Sequence, residues 1–213
     1  MNKIVEEAIR KIKELEENTP CGKHIITGDV RKLSSKLFSQ IEDKSIENVF
    51  ILCEELLNEH LWALGVIAFD FAYRMKNHYN ESTYDIFYHW LKGYVRGWGD
   101  CDDFCTHAFG ELLRQKKSLF VKIIAWTDDN DFWVRRVAIE HQLLRKDKMN
   151  IELLEKILEN NLNSSEFFIN KAIGWALRDY SKTNPEWVRE FIENYVSDMA
   201  PLSIREGSKY LPS

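Results

Sequence analysis

Apolar residues recur at helical spacing along almost the whole chain. Near the N-terminus, one apolar stripe consists of Ile4, Val5, Ala8, Ile12 and Leu15. Charged residues fill most positions between them, as in an amphipathic helix that buries one face. The same spacing predicts further helices at 29–41, 45–58, 60–76, 82–95, 99–115, 118–127, 131–145, 150–161, 165–181, 185–197 and 203–211. This pattern leaves no segment for strands and predicts an all-α fold.

Residues that cap helices stand at several of the predicted helix starts. They are Ser118, Asp131, Asn150, Asn184 and Ser203. A side-chain oxygen at such a position accepts a hydrogen bond from a backbone N–H that has no partner within the first turn. Pro185 follows Asn184, and proline suits the first helical position because the N–H that it lacks would be unpaired there.

The predicted helices also repeat at a nearly constant interval. Alternate helices start near 60, 99, 131, 165 and 203, which spaces them by 32 to 39 residues. A helix-hairpin repeat of this length is typical of superhelical stacks of HEAT-like antiparallel helix pairs, which present a concave face to their ligands. The alternative is an irregular α-bundle with helices of similar length. Because no linker or low-complexity tract interrupts the chain, we expect one domain over residues 1–213.

Composition and charge narrow the class of protein. Hydrophobic residues make up 45% of the 213 residues and charged residues 30%, as in ordinary globular proteins. The apolar runs are too short for a membrane span, and the four cysteines are too few for a disulfide framework, so we expect a cytoplasmic protein without membrane contact. A net charge of −5 argues against general affinity for nucleic acid but is compatible with a local basic face.

One segment combines an aromatic residue with several acids. Residues 95–104 read VRGWGDCDDF, with Trp98 between two glycines at a predicted helix start. Acids in a first turn interact favourably with the helix dipole, which would account for each of them as a purely structural feature. That explanation does not cover Trp98, which lies four residues before Asp102 and therefore on the same helix face. Trp98 and Asp102 are therefore candidate site residues.

Three charged residues follow the repeat interval. Asp102, Arg136 and Lys171 are separated by 34 and 35 residues, so stacking in register would bring them side by side. Lys171 also begins a stripe that consists of Lys171, Trp175, Arg178 and Lys182. Cations with an indole between them suit a nucleic-acid surface, because the cations meet phosphates and the indole meets a base or sugar. The alternative is a solvated face with Trp175 packed on lysine stems.

A metal site is a further alternative. Cys101 and Cys105 are four residues apart with His107 nearby, which would present two thiolates and an imidazole to zinc in a metal-dependent hydrolase. Because no second pair completes the set, we expect buried thiols, with no metal and no cofactor. Elemental analysis of the pure protein tests the zinc alternative.

Three runs of residues resemble a known family, the HEAT-like-repeat alkylpurine DNA glycosylases of the AlkD type. The runs are FWVRRVAI at 132–139, FFINKAIGWALRDYSKTNP at 167–185 and PLSIRE at 201–206. The likeness is dense over 97–211 and thin before it. Where the family has two consecutive tryptophans before its acids, this chain has the single Trp98 between glycines.

The resemblance implies a function and roles for residues. It implies a monofunctional glycosylase that hydrolyses the N-glycosidic bond of cationic N3- and N7-alkylpurines in duplex DNA, acting as a monomer and located at the nucleoid when bound. The catalytic residues would be Trp98, Asp102 and Arg136, the last in a Trp-x-x-Arg stretch that begins at Trp133. The resemblance makes Trp175 a second aromatic wall and Arg178 a contact of the DNA backbone. Lys171 and Lys182 of the stripe, together with Arg135, complete the expected substrate- and DNA-binding residues. The alternative is a non-catalytic helical-repeat module that binds DNA structures or a protein.

Overall fold

The computed structural model describes residues 2–211, and these contain helices, turns and loops but no β-strand. The predicted all-α class is therefore confirmed. The chain divides into two compact units, the first ending at Leu112 and the second beginning at Leu113. Residues 1, 212 and 213 of the expected domain lie outside the described range, and a single domain over 1–213 stays a prediction. No helix in the described range is long and apolar enough to span a membrane.

The first unit is built around one buried helix. Its helices are α1 (Lys3–Glu17), α2 (Thr27–Ser39), α3 (Ile46–Asn58), α4 (Trp62–Arg74), α5 (Ser82–Tyr94) and α6 (Trp98–Thr106), and the unit boundary falls within α7 (Ala108–Gln115). α1, α2, α3 and α6 all pack against α4. Every residue from 63 to 72 is buried, whereas Trp62 at the start of α4 is exposed. α4 is therefore a fixed support for the side chains at its ends.

In the second unit, one long helix contacts most of the others. The helices are α8 (Phe120–Ala125), α9 (Phe132–Glu140), α10 (Ile151–Glu159), α11 (Phe167–Tyr180), α12 (Pro185–Tyr195) and α13 (Pro201–Gly207). α11 packs against α9, α12 and α13. Its crossing with α13 is close: a Cβ added at Gly174 would stand 2.6 Å from Glu206 Cβ and 3.2 Å from Ser203 O. Glycine at 174 therefore lets α13 approach the face of α11 that carries the predicted stripe.

Three of the five predicted N-caps are confirmed. Asp131, Asn150 and Asn184 accept hydrogen bonds from the backbone N–H groups of Trp133, Leu153 and Trp187 at 3.0, 3.1 and 3.1 Å. The predictions for Ser118 and Ser203 are wrong. Ser118 lies within a 3₁₀ turn, Lys117–Leu119, and Ser203 is buried inside α13, where its Oγ donates to Asn170 O at 2.8 Å. The hydroxyl of Ser203 therefore binds α11 and does not cap the start of α13.

Two predicted helices are shorter than the periodic pattern indicates. The helix expected over 99–115 is broken at His107, whose backbone leaves the helical region at φ −114° and ψ −91°. The helix expected over 131–145 ends at Glu140. Beyond it, Leu144 has a positive φ of 66°, and its N–H donates to Asp179 Oδ2 at 2.7 Å. The bond from Leu144 to Asp179 is a tertiary contact, which apolar spacing alone does not register.

Candidate active site and nucleic-acid interface

The start of α6 forms one wall of a cavity in the first unit. Gly97 is the N-cap residue in an extended conformation, and Trp98 is the first helical residue, with 60% of its surface exposed. The cavity has a volume of about 880 Å³. Its walls include Trp62, Trp98, Asp102, Asp103 and Arg31. The structure thus brings together Trp98 and Asp102, the two residues that the sequence pairs through their spacing of four.

Three carboxylates line this cavity within one turn of α6: Asp100, Asp102 and Asp103. Burial raises the pKa of Asp100 above its ordinary value, and the backbone N–H of Arg96, 3.4 Å from Asp100 Oδ2, acts in the opposite direction. The nearby charge of Asp103 adds to the rise in this pKa. Three carboxylates against one guanidinium make the cavity wall acidic, so it favours a cation over an anion.

Asp103 belongs to a charged network that sequence reasoning missed. Arg31 of α2 forms ion pairs with Asp70 of α4 and with Asp103 Oδ1, and His107 Nδ1 lies 3.1 Å from the same oxygen. Asp103 Oδ2 is buried and has no hydrogen-bond partner among residues 2–211. A buried carboxylate oxygen without a partner is costly, so it indicates a place for a bound polar group. One signal was available: Asp70 is an acid within the otherwise apolar run of α4.

The thiols of α6 are buried, as expected. Cys101 and Cys105 are 0% and 2% exposed. His107, the third member of the zinc alternative, has its Nδ1 within 3.1 Å of both the backbone carbonyl oxygen and Oδ1 of Asp103. Its ring also meets that of Tyr73 edge-on, with centroids 5.7 Å apart. The imidazole is thus oriented by Asp103 and Tyr73.

In the second unit, α11 presents the predicted stripe. The ring of Trp175 has three cations near it: the distances from its centroid are 5.4 Å to Arg136 Cζ, 5.6 Å to Lys171 Nζ and 5.4 Å to Arg178 Cζ. The interval of 35 residues therefore brings Arg136 and Lys171 to the same indole, as predicted. The alignment of Asp102 with them stays a prediction. Lys182 lies beyond the end of α11, exposed, with its Nζ 5.2 Å from the ring centroid of Tyr210.

Arg136 is a buried residue. It is 1% exposed, and its guanidinium donates to Phe168 O at 2.8 Å and pairs with Glu140 Oε1 at 2.7 Å. The side chain thus ties α9 to the start of α11 beneath Trp175. Arg135 is half-buried, and its Nε has no hydrogen-bond partner in the described part of the chain. The catalytic role of Arg136 and the DNA contact of Arg135 stay predictions.

An acid that the sequence did not indicate lies within the cationic stripe. Glu206 of α13 accepts from Lys171 Nζ at 2.8 Å and from Arg178 Nη1 at 2.7 Å. The hydrogen bond from Lys171 and the charges of Lys171, Arg178 and Lys209 hold the pKa of Glu206 below its ordinary value. Glu206 therefore neutralises part of the positive charge of the stripe. Glu206 belongs to α13, which starts 34 residues after α11 does. The close crossing of the two helices at Gly174 brings this acid to the stripe.

The profile of a family described as DNA alkylation repair enzyme matches residues 24–211. The chain belongs to this family. The match begins well before residue 97, so the family likeness extends further towards the N-terminus than the residue runs indicate. A search of curated protein sequences gave no significant match.

Three solved structures are similar to this chain and share its all-α helical-repeat fold. A protein described as a predicted DNA alkylation repair enzyme from Enterococcus faecalis is 28% identical, with a TM-score of 0.77 over 98% of this chain and 96% of its own. AlkD2 from Streptococcus mutans is 15% identical, with a TM-score of 0.69 over 97% of this chain and 100% of its own. The alkylpurine DNA glycosylase AlkC from Pseudomonas fluorescens, bound to DNA containing an abasic site analog, is 18% identical, with a TM-score of 0.59 over 98% of this chain and 56% of its own.

Proposed function

We propose that this family member is a monofunctional DNA glycosylase that releases cationic N3- and N7-alkylpurines from duplex DNA. The observation that carries the proposal is the cavity in the first unit, where the exposed indole of Trp98 and the carboxylates of α6 share one wall. An alkylated purine of this type is a cation, and both an indole face and a carboxylate attract cations. AlkC, which shares the fold, is bound to DNA with an abasic site analog, and an abasic site is what such a reaction leaves.

In this proposal Asp102 stabilises the reacting sugar. A cationic purine is a good leaving group, so the reaction needs no strong acid. As the glycosidic bond breaks, the departing base becomes neutral and positive charge moves to the deoxyribose. The ionised carboxylate of Asp102 stabilises this oxocarbenium-like sugar and orients the water that attacks it, as carboxylates do in sugar hydrolysis.

Cations of the second unit hold the DNA backbone in this proposal. Lys171, Arg178 and Lys182 bind phosphates, and Arg135 adds a further contact. Trp175 lies among cations that would repel a cationic base, so it contacts a sugar instead. The buried guanidinium of Arg136 supports the indole of Trp175 from below through its bonds to Glu140 and Phe168.

The experiment is incubation of the pure protein with methylated duplex DNA, with the released bases separated by chromatography. We expect release of 3-methyladenine and 7-methylguanine that is linear with enzyme concentration. Binding to duplex DNA without release of any base would contradict the proposed reaction and favour the non-catalytic module. Retention of activity after removal of metals by chelation is the expected control result.

Substitution of Asp102 tests the mechanism. Asp102→Asn keeps the size of the side chain but removes its charge, so excision slows by about 10²–10³-fold, the usual effect of losing one electrostatic stabiliser. Binding to undamaged duplex holds or tightens slightly, because an anion is lost near the phosphates. The matched control is Asp85→Asn, which makes the same charge change at an exposed position on α5. Excision at the wild-type rate by folded Asp102→Asn protein would refute this mechanism.

A further inference from the structure

A second cavity of the first unit, called the basic cavity below, has cationic walls. It has a volume of about 590 Å³ and lies between α2, the end of α4 and the 3₁₀ turn that follows α4. The permanently charged side chains that line it are Arg31, Lys32, Arg74, Lys76 and Asp70. In the described part of the chain, Asp70 is thus the one acid on this wall, and it is paired with Arg31. The basic cavity therefore favours an anion, in contrast to the acidic cavity at the start of α6.

Arg74 is a cation of this wall without an acidic partner. It is the last residue of α4, it is exposed, and it forms no ion pair with any of residues 2–211. Its Cζ lies 5.2 Å from the ring centroid of Phe38, and this ring packs edge-on against the buried ring of Phe71, with centroids 5.3 Å apart. A fixed ring thus supports the guanidinium and leaves its N–H donors for another group.

The start of α2 contributes backbone donors to the basic cavity. Ile26 is the N-cap residue, and no side chain among residues 2–211 forms a capping hydrogen bond there. The first N–H groups of a helix have no partner within the helix and carry the positive end of its dipole, so such a start attracts anions. Gly28, in this first turn, lines the basic cavity, and a Cβ added to it would meet nothing within 4 Å. An anion therefore has room to reach the backbone of α2.

We propose that the basic cavity binds a phosphate of the DNA backbone, so that the first unit holds DNA through a site of its own. The phosphate accepts from the N–H groups at the start of α2 and pairs with Arg74 and Lys32. Lys32 is 76% exposed and lies 2.8 Å from Asp29 Oδ1, an exposed ion pair that a phosphate displaces at little cost. Because Gly28, Lys32 and Arg74 are all exposed, a phosphate that is part of a long polymer reaches them. This inference deepens the proposed function and rests on its binding of duplex DNA.

Gly28→Asp tests the site without disturbing the fold. An aspartate in the first turn interacts favourably with the helix dipole, so the melting temperature holds or rises. Its carboxylate takes the place of the phosphate and reaches Lys32, four residues later, so the protein loses about one contact with undamaged duplex. We expect a slope of log affinity against log salt that is shallower by about 0.9, measured by fluorescence anisotropy of a labelled duplex. The matched control is Gly28→Asn, which has the same size without the charge and keeps the wild-type slope.

A second variant acts from the end of α4. Arg74→Gln removes the cation that Phe38 supports and makes the slope shallower by about 0.9, whereas Arg74→Lys keeps the charge and most of the slope. The control is Lys13→Gln, which removes one positive charge at an exposed position of α1 outside the basic cavity. Equal slopes for Gly28→Asp and Gly28→Asn, or for Arg74→Gln and Lys13→Gln, would overturn the site.

The amide resonance of Gly28 separates a backbone phosphate from a free anion. We expect inorganic phosphate and undamaged duplex both to shift this resonance in isotope-labelled protein, the duplex at a much lower concentration. A shift with inorganic phosphate alone would overturn the contact with DNA. Failure of the wild-type protein to release methylated bases, with the slopes as expected, would refute the proposed reaction and leave this site in place. Release of bases with equal slopes in all variants would refute the site and leave the reaction in place.

Discussion

Glu206→Gln is the substitution that tests how the second unit binds DNA. In the free protein, the carboxylate of Glu206 forms ion pairs with both Lys171 and Arg178, at 2.8 and 2.7 Å. A phosphate that binds either cation must compete with this carboxylate. The amide of glutamine keeps the shape of the side chain and one hydrogen bond but gives up the charge, so both cations become available to phosphates. DNA affinity therefore rises.

The size of the effect follows from counterion release. Each phosphate contact adds about 0.9 to the slope of log affinity against log salt, which is about 3.5-fold in affinity between 50 and 200 mM salt. We expect Glu206→Gln to gain about one such contact, seen as a slope steeper by about 0.9 and a several-fold higher affinity at low salt. The pKa of Glu206 is lowered, so the acid stays ionised at pH 5 and the difference between the two proteins persists there.

Fluorescence anisotropy of a labelled duplex at several salt concentrations measures both quantities. The matched control is Glu186→Gln on α12, which changes the net charge equally. Its carboxylate is 75% exposed, against 15% for Glu206, and it pairs with Arg189 at 3.4 Å. Equal gains from both variants would mean that only net charge matters. A weaker affinity with a shallower slope in Glu206→Gln would mean that Glu206 positions the cations for DNA, and either result would refute the competition.

Three further predictions concern stability. Arg136→Ala removes one member of a buried ion pair with Glu140, which lowers the free energy of unfolding by about 3–5 kcal/mol in urea titrations; a loss below 1 kcal/mol would contradict it. Gly174→Ala places a Cβ 2.6 Å from a side-chain carbon of α13 and costs about 1–3 kcal/mol, whereas Gly93→Ala, with nothing within 4 Å, costs no such strain. Burial lowers the pKa of His141 to about 3. As the pH falls below 6.5, this histidine therefore takes up a proton in the unfolded chain before it does so in the folded protein. Stability then drops by about 1.4 kcal/mol per pH unit between 6.5 and 3, and His141→Gln flattens this dependence in melting curves recorded from pH 7 to pH 4; an unchanged slope would exclude His141 as its cause.

Helix starts with local signals were predictable from the sequence, and those fixed by distant contacts were not. Asp131, Asn150 and Asn184 cap through backbone groups two or three residues away, so the signal and its partner lie in the same short segment. Ser203 has the same side-chain chemistry, but its hydroxyl binds Asn170 O, 33 residues earlier. A short stretch of sequence around Ser203 does not include this partner, so it does not indicate where the hydroxyl binds.

In the candidate site, too, residues with a local or periodic signal were predictable, and residues without one were not. Trp98 and Asp102 were found together because a spacing of four places them on one helix face. The repeat interval also brought Arg136 and Lys171 to one indole, since it reports stacking of neighbouring helices. Arg31 pairs with Asp70 and Asp103, 39 and 72 residues later, which is about one and two repeat intervals, but no local pattern around Arg31 marks it as their partner.

The acidic net charge of the chain is consistent with a DNA-repair enzyme once the two units are considered separately. The substrate in the proposed reaction is a cationic base attached to a polyanionic backbone, and these two parts need surfaces of opposite sign. In the first unit, carboxylates and indoles line the cavity, which suits the cationic base and the positive charge that develops on the sugar. In the proposed reaction, Lys171, Arg178 and Lys182 of the second unit bind the phosphates. A uniformly basic protein would bind the backbone more strongly but would repel the lesion, so the sign of each surface matters more than the net charge of −5.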